Sequence, residues 1–399
     1  MAKLKHLMRH LSRELETPLI LTAGLTAKTE PDKVAFLTNT LTYTCNPKYI
    51  SEKLAELDPG VKIVWLTAKE GSSLSAYPDN VKTVPLHSFQ GYQEAAGAKV
   101  WVDNGVAFSS MFRRKPDQIH IQTMHGSLGI KRLDGAVNSR RKHFWGRREI
   151  LRESTLTDYV ITNSAFEEDV FKTVFWKDVP MLRLGHARTD ILFKENSSVS
   201  AAIRRKLAEQ YGIPEDHKLV LYAPTHRGGF RVDIDFEKVL AALEERFGGT
   251  FSFLIRFHIR SEDLKQQSSA SSRIYNVTDY PDIQELMLCA DVGITDYSSW
   301  IFDYVVTKKP GFIYAPDLEK YNNVTGLYYP LEETPFPIAM NNQELAERIL
   351  SFDQDTFLQR TDEFLAGKEA VDDGHSAQRA AELILKLMGR RPAQSTNGL

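Results

Sequence analysis

Residues 292–304 read VGITDYSSWIFDY. The run Val292–Thr295 is short and β-rich, Asp296-Tyr297-Ser298-Ser299 is a polar knot, and a helical run carries on through Asp303. Strand, polar turn and helix in that order form the unit of a parallel sheet, because a parallel neighbour is reached only through a crossover. The same unit recurs along the chain. β-rich runs stand at Val34–Thr38, Lys62–Thr67, Val81–Leu86, Lys99–Val102, Gln118–Thr123, Tyr159–Thr162 and Met181–Leu184. They resume at Leu219–Ala223, Phe251–Phe257, Ile274–Val277, Val292–Thr295 and Gly311–Tyr314. Helical patterns fall between them, at Pro47–Leu57, Ala165–Phe175, Phe236–Phe247 and Ile283–Cys289. Twelve strands overfill one doubly wound sheet, so the chain is read as α/β with two Rossmann-like domains facing a cleft.

The polar, Ser-rich run Lys194–Ser200 is the expected linker. The expected divisions are an N-terminal segment 1–30, domains 31–195 and 196–375, a helix 376–388 that crosses back, and a disordered tail 389–399. Lys3, Lys5, Arg9 and Arg13 alternate with Leu4, Leu7, Met8 and Leu11, the pattern of a basic amphipathic helix suited to an anionic membrane surface or to the protein's own flank. The 399 residues carry 50 basic and 52 acidic side chains, so an overall nucleic-acid coat is excluded and any anion site is local. Two cysteines, Cys45 and Cys289, support neither a disulfide framework nor a Cys-based zinc cluster, and they suit a reducing, cytoplasmic compartment. Cys45 has no basic neighbour in sequence and reads as a buried structural thiol. No apolar run is long enough to span a bilayer, and the first residues do not read as a secretory leader.

Ligands of open α/β sheets bind beyond the carboxyl ends of the strands. Five such ends are polar: Met124-His125-Gly126-Ser127, Gly185-His186-Ala187-Arg188-Thr189-Asp190, Thr225-His226-Arg227, His258 with Arg260, and Asp296 to Ser299. The residue types suit phosphate, with Arg188, Arg227 and His258 as neutralising groups and Ser298-Ser299 at a helix start. A helix start is equally an ordinary N-cap, and Ser164 with Glu167 is read as a capping box only. His125, followed by a glycine, is the candidate general base. A basic cluster follows it: Lys131, Arg132, Arg140, Arg141, Lys142, Arg147, Arg148 and Arg152 against Asp134 and Glu149. It is either a solvated face or a site for anionic headgroups or an acceptor pyrophosphate. Asp233-Ile234-Asp235 precedes a helix and reads as capping. No P-loop, nucleophile elbow, zincin or dinucleotide fingerprint occurs.

These same residues resemble the CDP-glycerol glycerophosphotransferase family of teichoic acid synthesis. The family's T-W-H-G-T is similar to Thr123–Ser127, its Y-A-P-T-W-R to Tyr222–Arg227, and its L-R-x-H-P to Ile255–Ile259. Its T-D-Y-S-S-x-x-F-D-Y is similar to Thr295–Tyr304, and the likeness runs in order from about Val34 to about Leu350. The chain departs from the pattern at Met124, His226, Ile259, Ala187 and Thr325. The resemblance implies a glycosyltransferase-B-like fold with CDP-glycerol held mainly by the C-terminal half. It implies His125 as base, His258 with Arg227 as stabilisers of developing charge, and Thr225, Asp296, Ser298, Ser299 and Asp303 as donor or phosphate residues. It implies no cofactor or metal, a lipid-linked saccharide acceptor, a peripheral place on the inner membrane face, and a weaker acceptor or membrane role for Arg140, Arg141, Lys142, Arg147 and Arg148. The chain has no room for a large extra membrane-targeting domain, which favours priming. A glycerol- or ribitol-phosphate or capsule polymerase, a nucleotide-sugar glycosyltransferase on the same fold, and a non-catalytic nucleotide-binding scaffold are the alternatives.

Overall fold

The computed structural model describes residues 16–68, 77–105, 108, 111–129, 131–133, 144–195, 197–225, 234–257 and 272–392. The basic segment before residue 16, together with Arg140, Arg141, Lys142, His226, Arg227, Asp233, His258, Ile259 and Arg260, lies outside the described residues.

Two wholly parallel sheets form. The first has seven strands: β1 (Glu30–Leu37), β2 (Lys62–Thr67), β3 (Lys82–Pro85), β4 (Ala98–Asp103), β5 (Ile119–Gln122), β6 (Tyr159–Thr162) and β7 (Met181–Arg183). Their order is β3-β2-β1-β4-β5-β6-β7. The second has β8 (Lys218–Tyr222), β9 (Phe251–Ile255), β10 (Ile274–Asn276), β11 (Val292–Thr295), β12 (Gly311–Tyr314) and β13 (Ile338–Ala339), in the order β10-β9-β8-β11-β12-β13. In both, the chain starts at the centre, walks outward, and returns to the other side, which puts a crevice at β1/β4 and another at β8/β11. Central strands are buried on both faces, as helices on either side of a parallel sheet require: Val34 to Leu37 and Val292 to Thr295 are all covered.

Helices α1 (16–26), α2 (Cys45–Leu57), α3 (Phe89–Gly97), α4 (Phe144–Leu156) and α5 (Ala165–Val174) accompany the first sheet. Helices α6 (Ser198–Tyr211), α7 (Phe236–Phe247), α8 (Ile283–Cys289), α9 (Trp300–Tyr304), α10 (Leu318–Val324), α11 (Asn342–Leu350) and α12 (Gln354–Gly367) follow, and α13 (Ser376–Leu387) closes the fold. Helix α13 packs on α2 and on the 3-10 segment 187–193, so the end of the chain covers the first sheet's helices. Asp190 caps it, accepting from the backbone N–H groups of Ser376 at 3.0 Å and Ala377 at 2.7 Å.

Three local readings change. The linker run is shorter than its composition implies: Ser197 accepts from the Ser200 N–H and starts α6, so Ser198–Ser200 is helix. Strand β13 escapes the sequence pattern because it has only two residues. The tail is still engaged at Arg390, whose Nε donates to Asp58 Oδ2 at 2.6 Å.

Candidate active site

His125 stands three residues beyond β5. The turn that presents it is tight: Met124 takes a φ of +48°, in the left-handed region. Side chains brace that backbone. The Met124 N–H donates to Gln122 Oε1 at 2.8 Å, and Asn46 Nδ2 donates to the carbonyls of Thr123 at 3.1 Å and Met124 at 3.2 Å. Gln122 is in turn fixed by Asp103 Oδ1 at 2.9 Å and Glu153 Oε1 at 3.1 Å. Behind it, the buried His120 Nε2 meets Asp103 Oδ1 at 3.1 Å. The charges of Asp103 and Glu153 raise the His120 pKa against the opposing effect of burial.

His125 Nδ1 lies 2.6 Å from the Asn104 carbonyl. A carbonyl only accepts, so Nδ1 carries the hydrogen and the neutral ring keeps a free lone pair on Nε2. The side chain is exposed to solvent, and a Cβ added to Gly126 beside it meets nothing within 4 Å. The surrounding protein lowers the His125 pKa most, the Asn104 hydrogen bond opposes it, and the nearby Arg188 adds to the lowering, so the neutral, basic form is favoured.

The loop after His125 reaches the second sheet's domain. A Cβ on Gly129 would come 3.0 Å from Ser299 Cβ. Leu128 O accepts from Tyr329 OH, the Arg132 N–H donates to Gly326 O at 3.1 Å, and Lys131 bridges Leu327. The stretch Gly326–Tyr329 thus holds the loop that follows His125.

At the β8/β11 crevice, Asp296 Oδ1 accepts from Thr225 N at 2.8 Å and Thr225 Oγ1 at 2.7 Å, fastening the two strand ends together. Ser298 and Ser299 are half-buried beside it, and the Ser299 side chain makes no capping bond to α9. The helix they open has only five residues before it tightens into the 3-10 turn Val305–Thr307, so its dipole is small.

Three expectations change here. Asp296 and Asp303 do not present free groups to phosphate, because both are buried and bonded to protein donors. Arg188 is likewise not a surface cation: it is 2% exposed, with Nε donating to Asp303 Oδ2 at 2.7 Å and Nη2 to Oδ1 at 3.0 Å. Its Nη2 also donates to Gly126 O, and its Nη1 lies 3.5 Å from Cys45 Sγ. Cys45 is half-buried rather than enclosed, and its basic neighbour comes from 143 residues away. Thr225 follows β8, Ser298 and Ser299 follow β11, and His125 follows β5, so all four stand at carboxyl ends of strands, whereas Arg147 and Arg148 sit exposed on α4. Sequence reasoning missed Asn46, Asn104 and Gln122 as the groups that aim His125. The Asn-Gly pair at the end of β4 was the one available signal for the second.

Among the described residues no three His, Cys, Asp or Glu side chains converge as a metal cage. No described helix is long and apolar enough to cross a membrane.

The family model for CDP-glycerol:poly(glycerophosphate) glycerophosphotransferase matches residues 20–386. A teichoic acid poly(glycerol phosphate) polymerase of Staphylococcus epidermidis is 28% identical over 367 residues, which is 86% of this chain and 49% of the relative. A polymerase of the same description from Bacillus subtilis is covered to 42%, so the chain spans about half the length of these two relatives or less. A teichoic acid glycerol-phosphate transferase of Staphylococcus aureus is 26% identical over 86% of this chain and 90% of its own. The structure of the wall teichoic acid polymerase TagF superposes with a TM-score of 0.81 at 27% identity, over 97% of this chain and 98% of that one. Another TagF structure, of a variant soaked with CDPG, gives a TM-score of 0.80 at 26% identity over 97% and 98%.

Proposed function

Since the chain belongs to the CDP-glycerol:poly(glycerophosphate) glycerophosphotransferase family, we propose that it transfers glycerol phosphate from CDP-glycerol to a hydroxyl of a lipid-linked saccharide in teichoic acid synthesis. The acceptor oxygen attacks the β-phosphorus, the bond from that phosphorus to the bridging oxygen breaks, and CMP leaves with the bridging oxygen. His125 Nε2 takes the acceptor proton. The observation that carries this reading is the Nδ1–H bond to Asn104 O, which leaves Nε2 basic at an open position beside Gly126. Ser298 and Ser299, with Arg227 and His258, which follow β8 and β9 in sequence, are proposed to hold the pyrophosphate and the charge that develops on it.

The acceptor's lipid places the reaction at the inner face of the cell membrane. Leu19, Leu21 and Leu25 of α1 are 45%, 46% and 88% exposed, and Leu151 of α4 is 63% exposed beside Arg147 and Arg148. Apolar side chains next to cations suit a peripheral contact with anionic headgroups. Addition of a single unit, as in priming, is the finer reading, and relatives include both polymerases and a primase.

The test is CMP release from CDP-glycerol with wild type and His125→Gln, with and without a lipid-linked disaccharide acceptor. Release that needs both acceptor and His125 supports the transfer, and product mass separates one added unit from many. Release from UDP-sugars but not CDP-glycerol would replace the reading by glycosyl transfer.

A further inference from the structure

Arg188 joins three things that the reaction needs together. It sits in the 3-10 segment 187–193 that follows β7, in the first sheet's domain. Its Nη2 donates to Gly126 O, the carbonyl next to His125, and Nε and Nη2 grip Asp303 of α9, in the second sheet's domain. Its own backbone N–H donates to Asn46 Oδ1 at 3.1 Å, and Asn46 is the side chain that holds the Thr123 and Met124 carbonyls. A planar guanidinium suits this work, since its fork bonds one carboxylate through two nitrogens while another hydrogen remains for a carbonyl. Helix α9 begins directly after Ser299, so Asp303 and the proposed pyrophosphate serines share one short rigid element.

We propose that Arg188 is a positioning residue for the transfer, clamping the His125 loop to the helix that follows Ser298 and Ser299 so that base and donor keep one register across the domain boundary. This rests on the transferase reading above. The groups around the clamp are few. Asn104 O faces His125 from the end of β4, and Cys45 Sγ of α2 faces Arg188. His186 Nδ1 lies 3.4 Å from Arg188 Nη2, with Glu167 of α5 behind it, and Asp303 closes the far side. Among the described residues, Arg188 is the cation whose charge acts on His125. Removing it should raise the pKa of His125, and removing its counter-charge at Asp303 should lower it.

The experiment is an NMR titration of the His125 imidazole, assigned with His125→Gln, in wild type, Arg188→Gln, Arg188→Lys and Asp303→Asn, beside kcat and KM for CDP-glycerol. Thermal unfolding verifies that each variant is folded. The expected result is a pKa moved up in Arg188→Gln and down in Asp303→Asn. Arg188→Lys keeps the charge but loses the fork. It should titrate near wild type yet lose about tenfold or more in kcat, with KM changed by less than about threefold. Opposite shifts from the two halves of one pair are not produced by general loosening of the fold. Wild-type kcat in Arg188→Lys, or shifts of the same sign in both other variants, overturns the clamp. A wild type that releases no CMP overturns the transferase reading itself, and with it any role for Arg188 in that reaction. The titration needs no turnover and reports separately on the contact.

Discussion

Asn46 shows how much of the candidate site depends on single side chains with no chemistry of their own. Its amide nitrogen holds two consecutive carbonyls of the His125 turn and its oxygen holds the Arg188 N–H. Asn46→Ala removes all three bonds, at a cost of about 1–3 kcal/mol for each buried backbone group left unpaired before relaxation. A lowered unfolding midpoint with a fall in kcat is expected, whereas binding of CDP-glycerol should persist. The titration of His125 gives a second prediction. Its pKa lies below the usual 6.5 because the surrounding protein and Arg188 outweigh the Asn104 bond, so the acid limb of kcat/KM should fall below pH 6.5 and vanish in His125→Gln. His125 was legible in the sequence, because a histidine and a glycine after a β-rich run have few ways to avoid the sheet's ligand edge. Arg188 was misread for an equally physical reason. An arginine at a strand end looks like a phosphate site until the carboxylate opposite is known, and Asp303 lies 115 positions away.

At the scale of elements, the alternation of short apolar runs with amphipathic helices carried the assignment. Lys62–Thr67, Tyr159–Thr162, Phe236–Phe247 and Ile283–Cys289 form with the bounds their patterns give. The misread linker shows where composition is ambiguous, because serine serves loops and helix caps alike. Ser197→Ala should cost about 1 kcal/mol of stability and leave CMP release unchanged. A deeper dependence is hidden in β11. A Cβ on Gly293 would stand 2.9 Å from the Tyr304 ring and 3.0 Å from Ile301 Cδ1, so the missing side chain lets α9 lie close on the strand. Gly293→Ala should push α9 outward, destabilising the fold by about 1–3 kcal/mol. It should also lower kcat, because Ser299 and Asp303 ride on that element. Normal kcat with an unchanged unfolding midpoint would mean that the strand and helix give way at no cost.

For the whole molecule, what no reading of local pattern supplies is the way the two sheets are bolted together. Lys48 of α2 reaches Asp282 Oδ2 at 2.6 Å and Glu285 Oε1 at 3.2 Å, and Tyr49 OH donates to the same Asp282 oxygen at 2.9 Å. Asp282 also caps α8, accepting from the Gln284 N–H at 3.1 Å. One acidic pair thus receives a lysine and a tyrosine from the other domain, more than 230 positions away in sequence. Burial alone lowers the Lys48 pKa, and Asp282 and then Glu285 more than reverse it. A lysine whose folded pKa is raised contributes stability that is fully present below its unfolded value near 10.4 and is lost only as pH rises through the folded one. Its contribution should therefore be flat across neutral pH. Lys48→Met removes the cation that balances the buried Asp282, which keeps only the Tyr49 hydroxyl and the Gln284 N–H, and it should cost about 3 kcal/mol. The drop in unfolding midpoint should be the same at pH 6.5 and pH 8.5. It should also uncouple the domains, so that a single thermal transition divides in two as the second sheet melts apart from the first. A single transition at a wild-type midpoint would mean that α13, which crosses back onto α2, suffices to hold the halves together without this pair.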